Sequence, residues 1–157
     1  MVSKELLRRF PFFGFLTPAQ IREVALISDE ISLEAGEVLF SIGDKADALY
    51  VLLSGSIDLH YIVIDEHLPQ LKKDFLVGTI NPGEPLAISA VIPPYELTAT
   101  AVATESCTLL KIDGVELLAL CEADPALAYG LQAQIARATM ERLHMTRVLL
   151  AAATTPV

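Results

Sequence analysis

Basic residues are scarce in this chain: 11 Lys and Arg stand against 20 Asp and Glu, for a net charge of −9. A surface that holds nucleic acid electrostatically needs the opposite balance, so no nucleic acid is expected on this domain. Cysteine is scarce as well. Cys107 and Cys121 are the only two, no Cys/His cluster has zinc spacing, and both read as small buried hydrophobes rather than as a disulfide. Long apolar runs are missing even though apolar residues make up 53% of the sequence. The longest, 48–53 and 148–153, have six residues each, where a membrane-spanning helix needs about 20. The basic residues near the N-terminus are followed by Pro11 and Gly14, not by an apolar segment and a cleavage site. The expectation is a soluble, cytoplasmic protein with no membrane partner.

Catalytic signatures are lacking too. His60, His67 and His144 are spread over three regions without ligand spacing, and Ser54, Ser56 and Ser89 have no G-x-S-x-G context. No Walker loop or Rossmann glycine pattern occurs. No catalytic or metal-binding residue can be named, and the chain is expected not to be an enzyme.

What is present is one domain's length, 157 residues, with enough apolar content to bury a core. A first helical stretch over 4–10 stops at Pro11. Thr17, Pro18 and Gln20 then spell a helix start, with Thr17 as N-cap and Gln20 completing a capping box. From residue 30 to 113 short β-prone runs alternate with turn residues: 31–33, 38–40, 49–53, 57–64, 75–80, 97–103 and 108–112. Strands this short suggest an antiparallel sandwich or roll. The polar segment 65–74, with Pro69, reads as an exposed hairpin loop. After Asp113 the period becomes helical, over 115–121 and then from Asp124-Pro125 to about 150.

The last helix carries two apolar seams on nearly opposite faces. Leu131, Ile135, Ala138, Met145 and Leu149 form one; Tyr129, Ala133, Ala136, Met140, Leu143 and Leu150 form the other. One seam can cover the β-domain. The other is expected to pair with a second copy, giving a homodimer through the C-terminal helix; the alternatives are a different protein partner or burial of both seams in the core.

The stretch 33–57, LEAGEVLFSIGDKADALYVLLSGSI, resembles the glycine-punctuated front half of cyclic nucleotide-binding domains of the catabolite activator type. Gly36, Gly43, Asp44, Tyr50, Gly55 and Ser56 sit where that family has its turns and its Tyr-containing strand. The resemblance runs over about residues 12–147. It implies a mainly β fold with flanking helices, a double-stranded β-helix of jelly-roll type. It also implies one domain over 1–157, with N-terminal helices 3–28, a β-roll 29–113 and C-terminal helices 114–150. In the family's transcription factors a DNA-binding domain follows the last helix; here the sequence ends at Val157, so a sensor module without output domain is expected of this chain.

The family's phosphate-binding cassette reads approximately Pro-Gly-Asp-x-Phe-Gly-Glu-x-Ala-Leu, then a loop and an Arg before Thr-Ala or Ser-Ala. In that pattern Arg forks onto the cyclic phosphate, Glu accepts from the ribose hydroxyl, and Gly admits the ligand close to the backbone. Here Pro82-Gly83 and Thr98-Ala99 match the two ends, but Ala87 stands at the Gly, Ile88 at the Glu and Leu97 at the Arg. Between Lys73 and Lys111 there is no Lys or Arg, while Asp74, Glu84, Glu96 and Glu105 lie in that span. Losing one charge-assisted contact weakens binding about tenfold or more, so Ile88 and Leu97 disfavour cyclic AMP or cyclic GMP as ligand. Arg137 or Arg142 on the long helix could reach in and restore a cation.

The candidate ligand-binding residues are therefore Ala87, Ile88, Ser89, Leu97, Thr98 and Ala99. Two readings compete. The pocket is retuned for a less anionic or apolar ligand, lined by Ile88, Val91, Ile92, Leu97 and Ala99, or Ile88 and Leu97 fill it. The corresponding functions are a regulatory sensor that binds cyclic nucleotide weakly or not at all, and a structural protein-interaction domain. A third is the effector part of a transcription regulator lacking its DNA-binding part.

Overall fold

A computed structural model describes residues 1–68 and 70–154. The chain opens with helix α1 (Lys4–Arg8), a 3-10 turn (Pro11–Phe13) and helix α2 (Pro18–Leu26). Pro11 ends the first helical stretch two residues earlier than expected. The capping box of α2 forms as read: Gln20 N donates to Thr17 Oγ1 at 3.3 Å, and Thr17 N donates to Gln20 Oε1 at 2.9 Å.

Eight strands follow: β1 (Ser28–Leu33), β2 (Val38–Phe40), β3 (Ala48–Ser54), β4 (Ile57–Ile64), β5 (Lys72–Ile80), β6 (Pro85–Leu86), β7 (Thr100–Ala103) and β8 (Cys107–Asp113). They form two antiparallel four-stranded sheets, in the orders β1-β8-β3-β6 and β2-β7-β4-β5. The inner faces meet in one core. Leu49, Val51 and Leu52 from β3, Leu109 and Leu110 from β8, and Ile57 from β4 are fully buried there.

Several strand limits differ from the sequence reading, and the larger differences have a backbone reason: β1 begins at Ser28 instead of residue 31 because its ladder with β8 starts at the pair Ser28–Ile112. β5 begins at Lys72, inside the expected loop, because the ladder pairs Ile64 with Lys72 and Val63 with Lys73; ladder bonds join backbone groups and tolerate polar side chains on an exposed hairpin. The loop shrinks to 65–71, Pro69 of that loop lying outside the described residues, and Asp65 Oδ1 accepts from His67 N and Leu68 N. The run 97–103 is strand only from Thr100, since Leu97 bonds instead to the β2–β3 loop (Leu97 N to Asp44 O, 2.8 Å; Gly43 N to Leu97 O, 2.8 Å). The two-residue strand β6 has no alternation to read at all.

Helices α3 (Gly114–Ala123) and α4 (Pro125–Thr154) close the chain. Asp113 Oδ1 caps α3 through Glu116 N at 2.8 Å, and Asp124 Oδ1 caps α4 through Leu127 N at 3.2 Å. α4 runs four residues past the expected 150 because the alanines of 151–153 are strong helix formers and the next proline is Pro156. Gln20 Nε2 donates to Asp124 Oδ2 at 2.8 Å, and Gln134 Nε2 to Phe12 O at 2.9 Å. A Cβ at Gly130 would collide with the Phe15 ring, so glycine here lets the N-terminal segment lie against α4. These contacts fix the first half of α4. Among the described residues no helix is long and apolar enough to cross a membrane.

Candidate functional site

The path from β6 to β7 shapes the cassette. β6 pairs with β3 (Tyr50 opposite Leu86, Val51 opposite Pro85) and buries Leu86 completely. The chain then turns at Ala87, whose φ of 57° lies in the left-handed region. That is the position where the resembling family has glycine, and L-alanine bears a cost of about 1 kcal/mol there. A 3-10 turn (Ile88–Val91) follows, tied by Ala90 N to Ala87 O at 3.0 Å. The loop returns past Tyr95, whose carbonyl accepts from Ala46 N at 2.8 Å. Thr100 Oγ1 accepts from Ile42 N at 2.9 Å as β7 begins.

This path borders a cavity of about 310 Å³. All six residues singled out in the sequence, Ala87, Ile88, Ser89, Leu97, Thr98 and Ala99, line it. Phe40, Leu59 and Val77 form the floor from the second sheet. The opposite wall is α4, through Thr139, Arg142, Leu143 and Thr146. Val91 and Ile92 do not line it. Val91 is buried in the core beneath, and Ile92 faces outward, 40% exposed, because the 3-10 turn presents Ile88 and Ser89 to the cavity and carries the next residues away from it.

The two family anchor positions differ in how they are filled. Leu97 is 6% exposed and belongs to the core at the cavity's edge. Ile88 is half-buried with a face on the cavity. Together they leave the cassette side without an ionised group. Glu84 points elsewhere: its Oε1 accepts from Asn81 Nδ2 at 3.0 Å, and it lines an adjoining cavity of about 500 Å³ with Arg137, Glu141 and His144.

The cation comes from α4. Arg142 is the one charged residue among those lining the first cavity, and it also borders the second. Its Nη2 is buried and has no hydrogen-bond partner among the described residues. Burial pushes the guanidinium down to about 10, against the opposing pull of Glu84 and Glu141; it remains charged at neutral pH. The signal for Arg142 lies in the helical pattern. It falls four residues after Ala138 and three before Met145, on the same face as the seam that packs on the roll. Leu131, Ile135 and Ala138 of that seam are buried, so the next position along it carries its charge inward. The sequence admitted Arg137 and Arg142 equally; Arg137 borders only the adjoining cavity. Thr139 and Thr146 had no sequence signal.

Among the described residues α4 also meets the roll through Gln132 Nε2, which donates to Val91 O at 3.4 Å on the cassette, and through Thr146 Oγ1, which stands 3.4 Å from Val77 O on β5 while bonding more closely to Arg142 O at 2.9 Å. The second seam is uncovered along its length, with Tyr129 81%, Met140 71% and Leu150 62% exposed. The cysteines are free, Cys107 buried and Cys121 half-buried. No group of three or more His, Cys, Asp or Glu among the described residues could hold a metal ion.

Comparison with known proteins agrees with this architecture. The family model described as "Cyclic nucleotide-binding domain" matches residues 30–124. The fold is similar to the crystal structure of a protein from Geobacter metallireducens, provisionally described as cyclic nucleotide-binding, with 35% identity and a TM-score of 0.78. That match covers 92% of this chain and 100% of the other. Among curated proteins, the cyclic AMP receptor protein of Thermus thermophilus is 28% identical over 83% of this chain, and a provisionally named potassium channel protein of Rhodopseudomonas palustris is 28% identical over 82%. The chain spans 58% of the length of the first and 29% of the second. Family match, sheet order and cassette position coincide: the chain belongs to the cyclic nucleotide-binding domain family.

Proposed function

We propose that this domain is a non-enzymatic, ligand-responsive regulatory module whose ligand occupies the cavity between the cassette and α4, and that it takes cyclic AMP or cyclic GMP weakly or not at all. One observation carries the reading: the cavity persists, with a cation on α4, while both cassette anchors are apolar. A ribose hydroxyl facing Ile88 would lose its water without gaining a partner from that side chain, and a phosphate beside Leu97 would gain no charge-assisted bond from that one. Occupancy would act on the second half of α4, whose Thr139, Arg142, Leu143 and Thr146 form one wall of the cavity. A domain acting only through protein contacts, with Ile88 and Leu97 filling the pocket, is disfavoured by the cavity's volume.

Calorimetric titration with cyclic AMP and cyclic GMP at physiological salt tests the nucleotide part. The expected dissociation constant is about 0.1 mM or weaker, and micromolar binding would refute it. The uncovered seam of α4 favours a homodimer, since an apolar helix stripe is self-complementary about a two-fold axis. Analytical ultracentrifugation of the chain and of Met140→Glu checks this; a monomer at tens of micromolar chain would sink it. Free cysteines fit a reducing cytoplasm. The alignment to part of a receptor's length favours a role as the effector part of a longer regulator.

A further inference from the structure

We propose that Arg142 is the anion receptor of this cavity and that the ligand class is a small organic monoanion with an apolar body, held by its charged group against α4 instead of against the cassette. The inference deepens the reading above and rests on the cavity being the ligand site. Three observations carry it.

First, the charge count. Arg142 is the one ionised group lining the cavity, and no carboxylate lines it. A single negative charge balances it. A second would find no partner, and would face the field of Glu84 and Glu141 across the guanidinium. A ligand without an acceptor would set hydrocarbon against a guanidinium that already lacks a partner at its buried Nη2, a penalty that a ligand anion relieves most.

Second, the walls. Phe40, Leu59, Val77, Ile88 and Leu97 offer apolar surface, which rewards a hydrocarbon or aromatic body and penalises a sugar. The hydroxyls of Thr139 and Thr146 flank Arg142 on α4, although each donates to a backbone carbonyl one turn back (Thr139 to Ile135 O, Thr146 to Arg142 O). Their lone pairs do not serve an anion, so the guanidinium is the dominant donor on that wall.

Third, the location of the receptor. A cassette arginine sits on the roll, whereas Arg142 sits on the helix whose outer seam is uncovered. Anchoring the anion there makes ligand affinity depend directly on where α4 lies, and by linkage makes the position of α4 depend on the ligand.

The test uses a matched pair of fluorescent probes on the full chain: 8-anilinonaphthalene-1-sulfonate, a monoanion with an apolar body, and N-phenyl-1-naphthylamine, the same body without the sulfonate. Each is titrated into wild type, Arg142→Met and the cavity-blocking Ala99→Phe, with circular dichroism verifying the fold of both variants. The expected result is one sulfonate probe per chain, bound about tenfold or more tighter than the neutral probe. Arg142→Met should abolish that preference by weakening the sulfonate probe, with the neutral probe bound as tightly as in wild type or more tightly, while Ala99→Phe weakens both. Equal affinity of the two probes in wild type, or an unchanged preference in Arg142→Met, overturns the receptor role while leaving the cavity as a ligand site. Failure of both probes to bind wild type, or binding of both untouched by Ala99→Phe, overturns the cavity reading and the inference with it.

Discussion

Removing the Arg142 charge should make the protein more stable, and the size of the gain follows from the structure. Burial lowers this guanidinium well below its ordinary value, to about 10, and at about 1.4 kcal/mol per pH unit that represents roughly 3 kcal/mol of disfavoured charge in the folded state. The residue as a whole is half-buried, so solvent screening reduces the recoverable part to about 1–2 kcal/mol. The sign is that of a base depressed by folding. The unfolded chain holds the proton more tightly, so the penalty is fully present below pH 10 and is relieved only as pH rises from there toward the ordinary guanidinium value. Substitution at neutral pH is therefore the practical probe. Methionine keeps an unbranched stem in the wall that Arg142 shares with Leu59 and Val77 and carries no charge. Arg142→Met should raise Tm by about 2–8 °C at pH 7, given a change of about 2–4 °C per kcal/mol for a chain of this size. Differential scanning calorimetry of the two proteins without added ligand measures it, with urea unfolding as a check. A variant of equal or lower stability would refute the argument, because it would mean that the head group already has its charge satisfied. A gain at this position would mark Arg142 as a residue kept at the expense of stability, the usual sign of a site whose polar group waits for something outside the chain.

Other expectations are independent of that one. Restoring the family's polar anchors in the double variant Ile88→Glu/Leu97→Arg should strengthen cyclic AMP binding about tenfold or more by calorimetry; no gain would show that the shape of the cavity excludes the nucleotide. Gly55 has φ of +100°, and a Cβ there would stand 2.6 Å from Cys107 Sγ and from Ser106 O. Gly55→Ala should cost about 2–4 kcal/mol in urea unfolding, combining strain with overpacking, and a cost under about 1 kcal/mol would contradict the crowding. Asp124 is held below the usual carboxylate range by the Gln20 amide first and then by Leu127 N. Its stabilisation is present above about pH 4, the unfolded value, and is lost as pH falls through the lower folded one. Asp124→Ala should accordingly lower Tm at pH 7, with the gap to wild type narrowing toward pH 3; a gap independent of pH would refute it.

Local chemistry determined a good deal of this protein by itself. The capping box at Thr17 and Gln20, and the helix starts after Asp113 and at Asp124-Pro125, were legible because each helix start needs side-chain acceptors within three residues of chain. The turns at Gly36, Gly43 and Gly55 were legible because glycine marks positions that need positive φ, which other residues resist, and all three take it. Ala87 shows the converse: it adopts φ of 57° without being glycine, because β6 and the 3-10 turn hold it there from either side. The two seams of α4 and the apolar substitutions at the cassette were also plain, since period and residue type are properties of the chain alone.

Tertiary structure decided the rest. The strand limits at Lys72 and Thr100 depend on which backbone lies alongside, so no side-chain pattern announces them. Whether Ile88 and Leu97 fill a pocket or border one depends on volumes supplied by two sheets and a helix. The choice of Arg142 over Arg137 depends on the rotation of α4 about its own axis, which Phe15 against Gly130 and Gln134 against Phe12 establish far from either arginine. The sequence could state that a cation was missing from the cassette. Only the packing of a helix more than forty residues further along the chain, whose inward face continues through position 142, could supply one.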